Sequence, residues 1–221
     1  MKEKVIMSWS GGKDSALALY EIRKNKNYEI TALLTTVSSD YDRISMHGVR
    51  RSLLEEQASS IGIPLDMVFL QNGITDEEYS IKMQEALKKY IAVGISGVVF
   101  GDIFLEDLMR YREENLSKVQ MRGIFPIWKR DTGELANSFI NLGFRSVIIS
   151  VDSTFLDKKF VSKNFDKDFL LKIPSNVDPC GENGEFHSFV YDGPLFNKKI
   201  HFTKGEIVFR ENRFYYCDLI P

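Results

Sequence analysis

Cysteine is almost missing from this chain. Cys180 and Cys217 are the whole complement, too few for a disulfide framework and too far apart for a close metal pair, which fits a reducing cytoplasm. No apolar run approaches the length of a membrane span or a signal-peptide core; the N-terminal Val5-Ile6-Met7 is followed at once by polar residues. A basic excess is also lacking, because 29 basic residues face 31 acidic ones for a net charge of −2. That balance argues against a generic nucleic-acid binder. With 43% hydrophobic and 12% aromatic residues, disorder is excluded as well. Repeats and low-complexity segments are absent.

What is present is an alternation of strand-like and helix-like periodicity. Val5–Trp9 reads as a buried strand running into Gly11-Gly12, and Asp14–Lys24 as a helix with Ala16, Leu17, Leu19, Tyr20 and Ile22 on its apolar face. The pattern recurs with strands at 30–37, 67–70, 97–100, 123–127 and 145–151 and helices at 49–61, 76–93, 104–118 and 132–142. Strands separated by helices of this length predict right-handed crossovers and an α/β fold, a doubly wound and mainly parallel sheet. Past residue 151 the character changes. Residues 152–172 are polar with scattered aromatics, 174–184 are rich in turn formers, and Ile207–Arg210 and Arg213–Leu219 predict a hairpin across Glu211-Asn212. The expected division is residues 1–152, a nucleotide-type domain, and 153–221, a smaller α+β part on the substrate side.

Chemistry concentrates at Ser10-Gly11-Gly12-Lys13-Asp14-Ser15. In a parallel sheet, ligands gather where a strand ends and a helix begins. Two glycines let backbone N–H groups approach an anion, and the helix start adds a partial positive charge. Lys13 contributes a full charge, Ser10 and Ser15 contribute hydroxyls, and the set suits a phosphate chain. The spacing is not that of the ordinary P-loop. Lys13 is expected to be an exposed loop residue, so that its loss should cost turnover more than folding.

The hexapeptide resembles the pyrophosphate loop of the N-type ATP pyrophosphatases, the adenine nucleotide alpha hydrolase superfamily, and so implies a HUP-like, Rossmann-like fold. Ser45-Met46-His47-Gly48-Val49-Arg50, Phe100-Gly101-Asp102-Ile103-Phe104-Leu105-Glu106, Gly123-Ile124-Phe125-Pro126-Ile127-Trp128 and Gly181-Glu182-Asn183-Gly184-Glu185-Phe186-His187 together resemble the diphthine–ammonia ligase family. That resemblance implies an AMP-forming ligase using ATP and Mg²⁺. A carboxylate is adenylated, pyrophosphate leaves, and ammonia displaces AMP to give an amide. The implied acceptor is diphthine on an elongation factor 2-like protein, or else a small carboxylate.

The resemblance assigns Ser10, Gly11, Gly12, Lys13, Asp14 and Ser15 to the nucleotide phosphates and His47 to the adenosine edge. Asp14 and Asp102 become candidate Mg²⁺ ligands; a helix-capping role competes for Asp102. Lys13, Asp102, Glu182, Glu185 and His187 become candidates for catalysis, since ammonia must be kept unprotonated to act as a nucleophile. A plain polar turn is the competing reading of 181–187, and Glu106, Arg110, Arg112 and Glu113 read as a solvated helix face. Two other functions stay open. One is a tRNA-modifying pyrophosphatase, although no Cys-x-x-Cys is present to relay sulfur. The other is a nucleotide sensor without turnover. Neither a membrane nor nucleic acid is an expected partner, and association into a homo-oligomer is left open.

Overall fold

The computed structural model describes residues 2–45 and 48–221. In chain order, β1 (Glu3–Ser8), α1 (Lys13–Lys24), β2 (Tyr28–Ser38), β3 (Arg43–Ile44), α2 (Arg51–Ile61), β4 (Leu65–Leu70), α3 (Asp76–Ile91), β5 (Gly97–Val99), α4 (Glu106–Ser117) and β6 (Arg122–Ile124) build the first part. Parallel pairing runs β4-β2-β1-β5-β6, and the two-residue β3 lies antiparallel on β2 beyond the end of β1. The chain therefore builds outward from β1 to one side through β2 and β4, then returns to its other side through β5 and β6. Where the direction of building reverses, two neighbouring crossovers leave to opposite faces, and a crevice opens at the strand ends. Ser10–Ser15 lies at that crevice.

Strand alternation explains why both faces are covered. Val5 and Met7 of β1 join a core with Leu17, Leu53, Leu54 and Phe139, while Ile6 between them joins a second core with Leu87, Tyr90 and Leu116. A strand buried on both sides reads as a continuous apolar run rather than an alternating one. The expected doubly wound α/β sheet is thus observed.

α5 (Thr132–Asn141) leads into β7 (Arg145–Asp152), followed by α6 (Lys167–Lys172), β8 (Phe186–Asp192), β9 (Thr203–Arg210) and β10 (Phe214–Ile220). These four strands form an antiparallel sheet in the order β8-β7-β10-β9. β7 was expected to extend the parallel sheet; it pairs instead with β8 and β10. Periodicity registers that a strand is buried but not which neighbour it pairs with, and that is the reason for the difference. β8 itself was missed, since it follows a run of turn formers. The expected hairpin is present: Arg210 pairs with Phe214, and the chain reverses through Glu211 at φ 55° and Asn212 at φ 51°, both left-handed, with Arg213 N donating to Arg210 O at 3.0 Å.

The second sheet does not stand apart. Val147, Phe186, Phe189 and Leu219 belong to the same core cluster as Val5 and Leu53. Three of the aromatics of 153–172, which looked scattered in a polar stretch, are buried, Phe160, Phe165 and Phe169; Phe165 and Phe169 pack on Phe186 with centroids 6.0 and 5.2 Å away. Among the described residues no helix is long and apolar enough to cross a membrane.

One glycine sets how closely the first sheet approaches its first helix. A Cβ on Gly101, just past β5, would lie 2.8 Å from Asp14 C and Ser15 N, backbone atoms that cannot rotate away. Gly101→Ala should therefore cost about 1–3 kcal/mol, read as a lower urea midpoint. An unchanged midpoint would mean that the α1 terminus gives way freely.

Candidate active site

The loop at residues 10–15 is shaped by its own polar groups and by β8. Gly12 occupies the N-cap of α1 and has no side chain with which to cap it, so the first turn depends on other groups for its leading N–H donors. Ser10 Oγ accepts from Gly12 N at 3.3 Å and donates to Ser15 Oγ at 3.2 Å, and Ser15 Oγ donates to Gly12 O at 2.9 Å. Gly11 adopts φ +76°, and a Cβ there would meet Gln57 Oε1 at 2.7 Å. Its carbonyl accepts from Val190 N at 2.9 Å and from Gln57 Nε2 at 3.1 Å. Gln57, fully buried, also donates to Val190 O at 2.5 Å and accepts from Trp9 Nε1 at 3.0 Å. Ser188 Oγ accepts from Lys13 N at 3.2 Å.

Lys13 departs from expectation. It is 4% exposed rather than a surface side chain, with Nζ 2.7 Å from Asp14 Oδ2 and 5.2 Å from the Phe186 ring centroid. Burial is the largest influence and opposes its charge, yet Asp14, with Cys180 and Glu182 adding to it, holds the ammonium above the ordinary lysine value. Removing Lys13 would cost roughly 2–3 kcal/mol, below the value for a fully enclosed pair because the Asp14 left behind is 28% exposed. Folding and chemistry are therefore both at stake in Lys13.

The turn 178–185 folds over this loop. Asp178 Oδ2 accepts from Cys180 N and Glu182 N, each at 3.0 Å. Glu185, 1% exposed, accepts from Asp178 N, Asn183 N and Asn183 Nδ2, each at 3.0 Å. Its carboxylate thus frames the turn from within. Glu182 points outward from that frame. Its Oε1 accepts from Ile103 N at 2.7 Å, which ties the second half of the chain to the end of β5. Burial pushes the Glu182 carboxyl up to about 7, against the Ile103 N–H; Asp14 adds to the rise, Lys13 opposes it, and Asp102 adds further. Lys13, Asp14, Asp102 and Glu182 therefore share one electrostatic neighbourhood. His187, on β8, is pushed down to about 4 by burial with the Lys13 ammonium alongside. Burial also pushes the Cys180 thiol up.

Asp102 does not cap α4, whose first residue is Glu106. It pairs with Arg112, Nε to Oδ2 at 2.6 Å and Nη2 to Oδ1 at 3.1 Å, and the Arg112 guanidinium lies 4.4 Å from the Phe100 ring centroid. Arg112 was assigned to a solvated face; burying its stem on Phe100 and its charge on Asp102 draws it inward. It also lines a cleft of about 260 Å³ formed by the ends of β1, β2 and β5 with α3 and α4, along with Ser10, Thr36, Ile44, Ser45 and Phe100. His47, expected at the adenosine edge, lies outside the described residues. Sequence reasoning also missed Gln57, Asp178 and Ser188. Gln57 had a visible signal: it is a polar residue in register with Leu53, Leu54 and Ile61 on the apolar face of α2.

A glycine turn at the switch point of a doubly wound sheet, beside a cleft at the same strand ends, defines a nucleotide-binding type of α/β protein. Residues 3–122 match the diphthamide synthase N-terminal domain and residues 131–219 the diphthamide synthase C-terminal domain. The chain belongs to the diphthamide synthase family. Relatives named diphthine–ammonia ligase include one from Danio rerio, 28% identical over 93% of this chain and 88% of that protein, and one from Schizosaccharomyces pombe, 27% identical over 93% of this chain. The Homo sapiens ligase is 32% identical over 52% of this chain. The chain spans 37% of the length of the S. pombe relative and 45% of the human one. A U34-tRNA thiolase from Methanococcus maripaludis aligns with 64% of this chain and 58% of its own, at 16% identity and a TM-score of 0.40.

Two pH responses follow. Glu182 is protonated more readily in the folded state, so its contribution to stability is full below pH 4.5 and lost as pH rises through about 7. Glu182→Gln should match the parent at pH 4.5 and exceed it in urea midpoint at pH 8; a parallel pH profile for the two would refute the shift. His187 resists protonation in the folded state, so its contribution is full above pH 6.5 and lost as pH falls toward about 4. An imidazole NMR signal titrating near 6.5 would contradict the burial that causes this.

Proposed function

We propose that this protein is an ATP-dependent, AMP-forming amide ligase that activates a carboxylate and transfers ammonia to it, with diphthine on an elongation factor 2-like protein as the acceptor. The observation that carries this reading is the contact of Glu182 with Ile103 N at 2.7 Å. It brings an acidic turn from the second sheet onto the strand ends where the nucleotide loop lies. The relatives named diphthine–ammonia ligase support the same chemistry. Buried, unpaired cysteines with a thiol pushed upward at Cys180 do not favour a sulfur relay. Two free thiols also suit a cytoplasmic setting.

In this reading the first sheet holds ATP. Adenosine occupies the cleft beside Ser45 and Phe100. The β- and γ-phosphates sit on the α1 terminus, where the first-turn N–H groups beyond Lys13, the Ser10 and Ser15 hydroxyls and the helix dipole favour negative charge. Lys13 supplies its charge from beneath the loop. An acceptor carboxylate oxygen attacks the α-phosphorus as its bond to the bridging β-phosphate oxygen breaks. Pyrophosphate leaves with that electron pair, onto donors already in place. Ammonia then attacks the carbonyl carbon of the acyl adenylate, and AMP leaves. Glu182, titrating near 7, takes the proton that the attacking nitrogen sheds. His187 stays neutral beside the same loop, and Glu185 holds the turn in shape.

Among the described residues no group of three or more His, Cys, Asp or Glu side chains could by itself hold a metal, and Asp102 is engaged by Arg112. Asp14, whose Oδ2 is paired with Lys13, would be the carboxylate left to hold a Mg²⁺ bound with the nucleotide, and phosphate and water would supply the other ligands. When bound, the ion supplies charge for the departing pyrophosphate.

Incubation with ATP, ammonium and diphthine-bearing elongation factor 2 should release AMP and pyrophosphate and lower the acceptor mass by about 1 Da, the difference between acid and amide. ADP with inorganic phosphate, or no acceptor-dependent release, would overturn the assignment. Lys13→Ala should lower turnover at least ~100-fold and also lower the melting temperature. Full turnover in that variant would remove the loop from the mechanism.

A further inference from the structure

The last strand of the chain reaches back to the nucleotide cleft. Asp218 on β10 accepts three hydrogen bonds from two arginines: Arg43 Nη1 at 2.8 Å and Arg50 Nε at 3.2 Å on Oδ1, and Arg50 Nη2 at 2.6 Å on Oδ2. Arg43 lies on β3, and Arg50 is the N-cap residue of α2. They bracket Ile44, Ser45, Gly48 and Val49, where Ile44 N donates to Val49 O at 2.8 Å and Gly48 N to Ile44 O at 2.9 Å. Arg43 Nη1 also donates to Gly48 O at 2.8 Å. Ile44 and Ser45, within the bracket, line the cleft, and Ser45 N donates to Thr36 O at 3.0 Å on the neighbouring wall.

The geometry at Asp218 is built rather than incidental. The β9–β10 register slips there: Cys217 faces Ile207 and Leu219 faces Lys204, so Gly205 and Glu206 oppose the single residue Asp218. The extra residue lies on β9, so β10 keeps its alternation: Cys217 and Leu219 are buried on one face and Asp218 projects from the other, toward the arginines. A Cβ on Gly205 would meet Asp218 Cβ at 3.3 Å and Ile220 Cδ1 at 3.0 Å, so the bulge closes best around glycine. The arginines hold the Asp218 carboxyl down at about 2, and the cluster stays charged through the physiological range.

We propose that Asp218 is a positioning residue for nucleotide binding. From the second sheet it clamps Arg43 and Arg50 and so holds the Ile44–Ser45 wall of the ATP cleft. This rests on the assignment of the cleft to ATP. The clamp touches no reacting atom, so its loss should weaken ATP binding while leaving the chemical step alone. One carboxylate serves two arginines, which makes the wall depend on the C-terminal hairpin being in place.

The test compares ATP affinity by calorimetry, and KM against kcat in the acceptor-dependent AMP assay, across a small set of full-length variants. Asp218→Asn should raise both the ATP dissociation constant and KM about five-fold with kcat nearly unchanged. Asp218→Glu should recover part of that loss. Asp218→Asn combined with Arg50→Gln should be no worse than the worse single variant, as expected for two ends of one interaction. Arg51→Gln, which breaks the outward pairs with Asp42 and Glu55, should leave affinity as it was. Unchanged affinity in Asp218→Asn, a loss confined to melting temperature, or a fall in kcat at constant KM would each overturn the clamp. Failure of the unaltered protein to bind ATP would overturn the nucleotide assignment beneath it, a result separate from any difference among variants.

Discussion

The carbonyl oxygen of Gly11 is where the two sheets meet. It accepts from Val190 N on β8 and from Gln57 Nε2 on α2, and Gln57 in turn grips Val190 O and Trp9. A glycine loop by itself has many conformations, and fixing each residue costs about 1–2 kcal/mol of backbone entropy. Here that cost is met by a buried amide satisfied on both of its ends. An amide left half satisfied in such a place would cost more than its bonds contribute. The anion-binding shape of the loop is therefore a property of the assembled protein, set by a strand almost 180 residues downstream.

The same docking explains the electrostatics. β8 carries Phe186, His187 and Ser188 in succession. The Phe186 ring lies 5.2 Å from Lys13 Nζ, the half-buried His187 is partly desolvated with the Lys13 ammonium alongside, and Ser188 accepts from the Lys13 N–H. Burial raises the cost of every uncompensated charge, so the site carries a matched Lys13–Asp14 pair and a Glu182 poised near 7. Groups whose environments push their titrations apart are the usual mark of acid–base work.

Much of the first sheet was legible because its strands are buried on both faces and its helices carry one apolar stripe. α2, α3 and α5 end within two residues of their expected limits. The phosphate loop was legible for a different reason, since glycine, lysine and serine at a strand-to-helix turn have few other uses together. Arg112 was misread because a charged helical face looks solvated until something across the crevice, here Asp102, draws one member in. The aromatics of 153–172 were misread because irregular backbone gives no period to follow, although Phe160, Phe165 and Phe169 are as buried as residues of β1.

By itself the sequence determined which segments alternate, where the first strand ends, and that a cationic glycine turn follows it; these are local matters of period, φ freedom and charge. Tertiary structure alone decided that β7 leaves the parallel sheet, that Glu185 braces a turn while Glu182 faces the loop, and that Asp218 pairs with Arg43 and Arg50 across the molecule. Those outcomes depend on which distant donor reaches a given carboxylate or strand edge first. A linear pattern records what each residue prefers, and only packing records whom it meets.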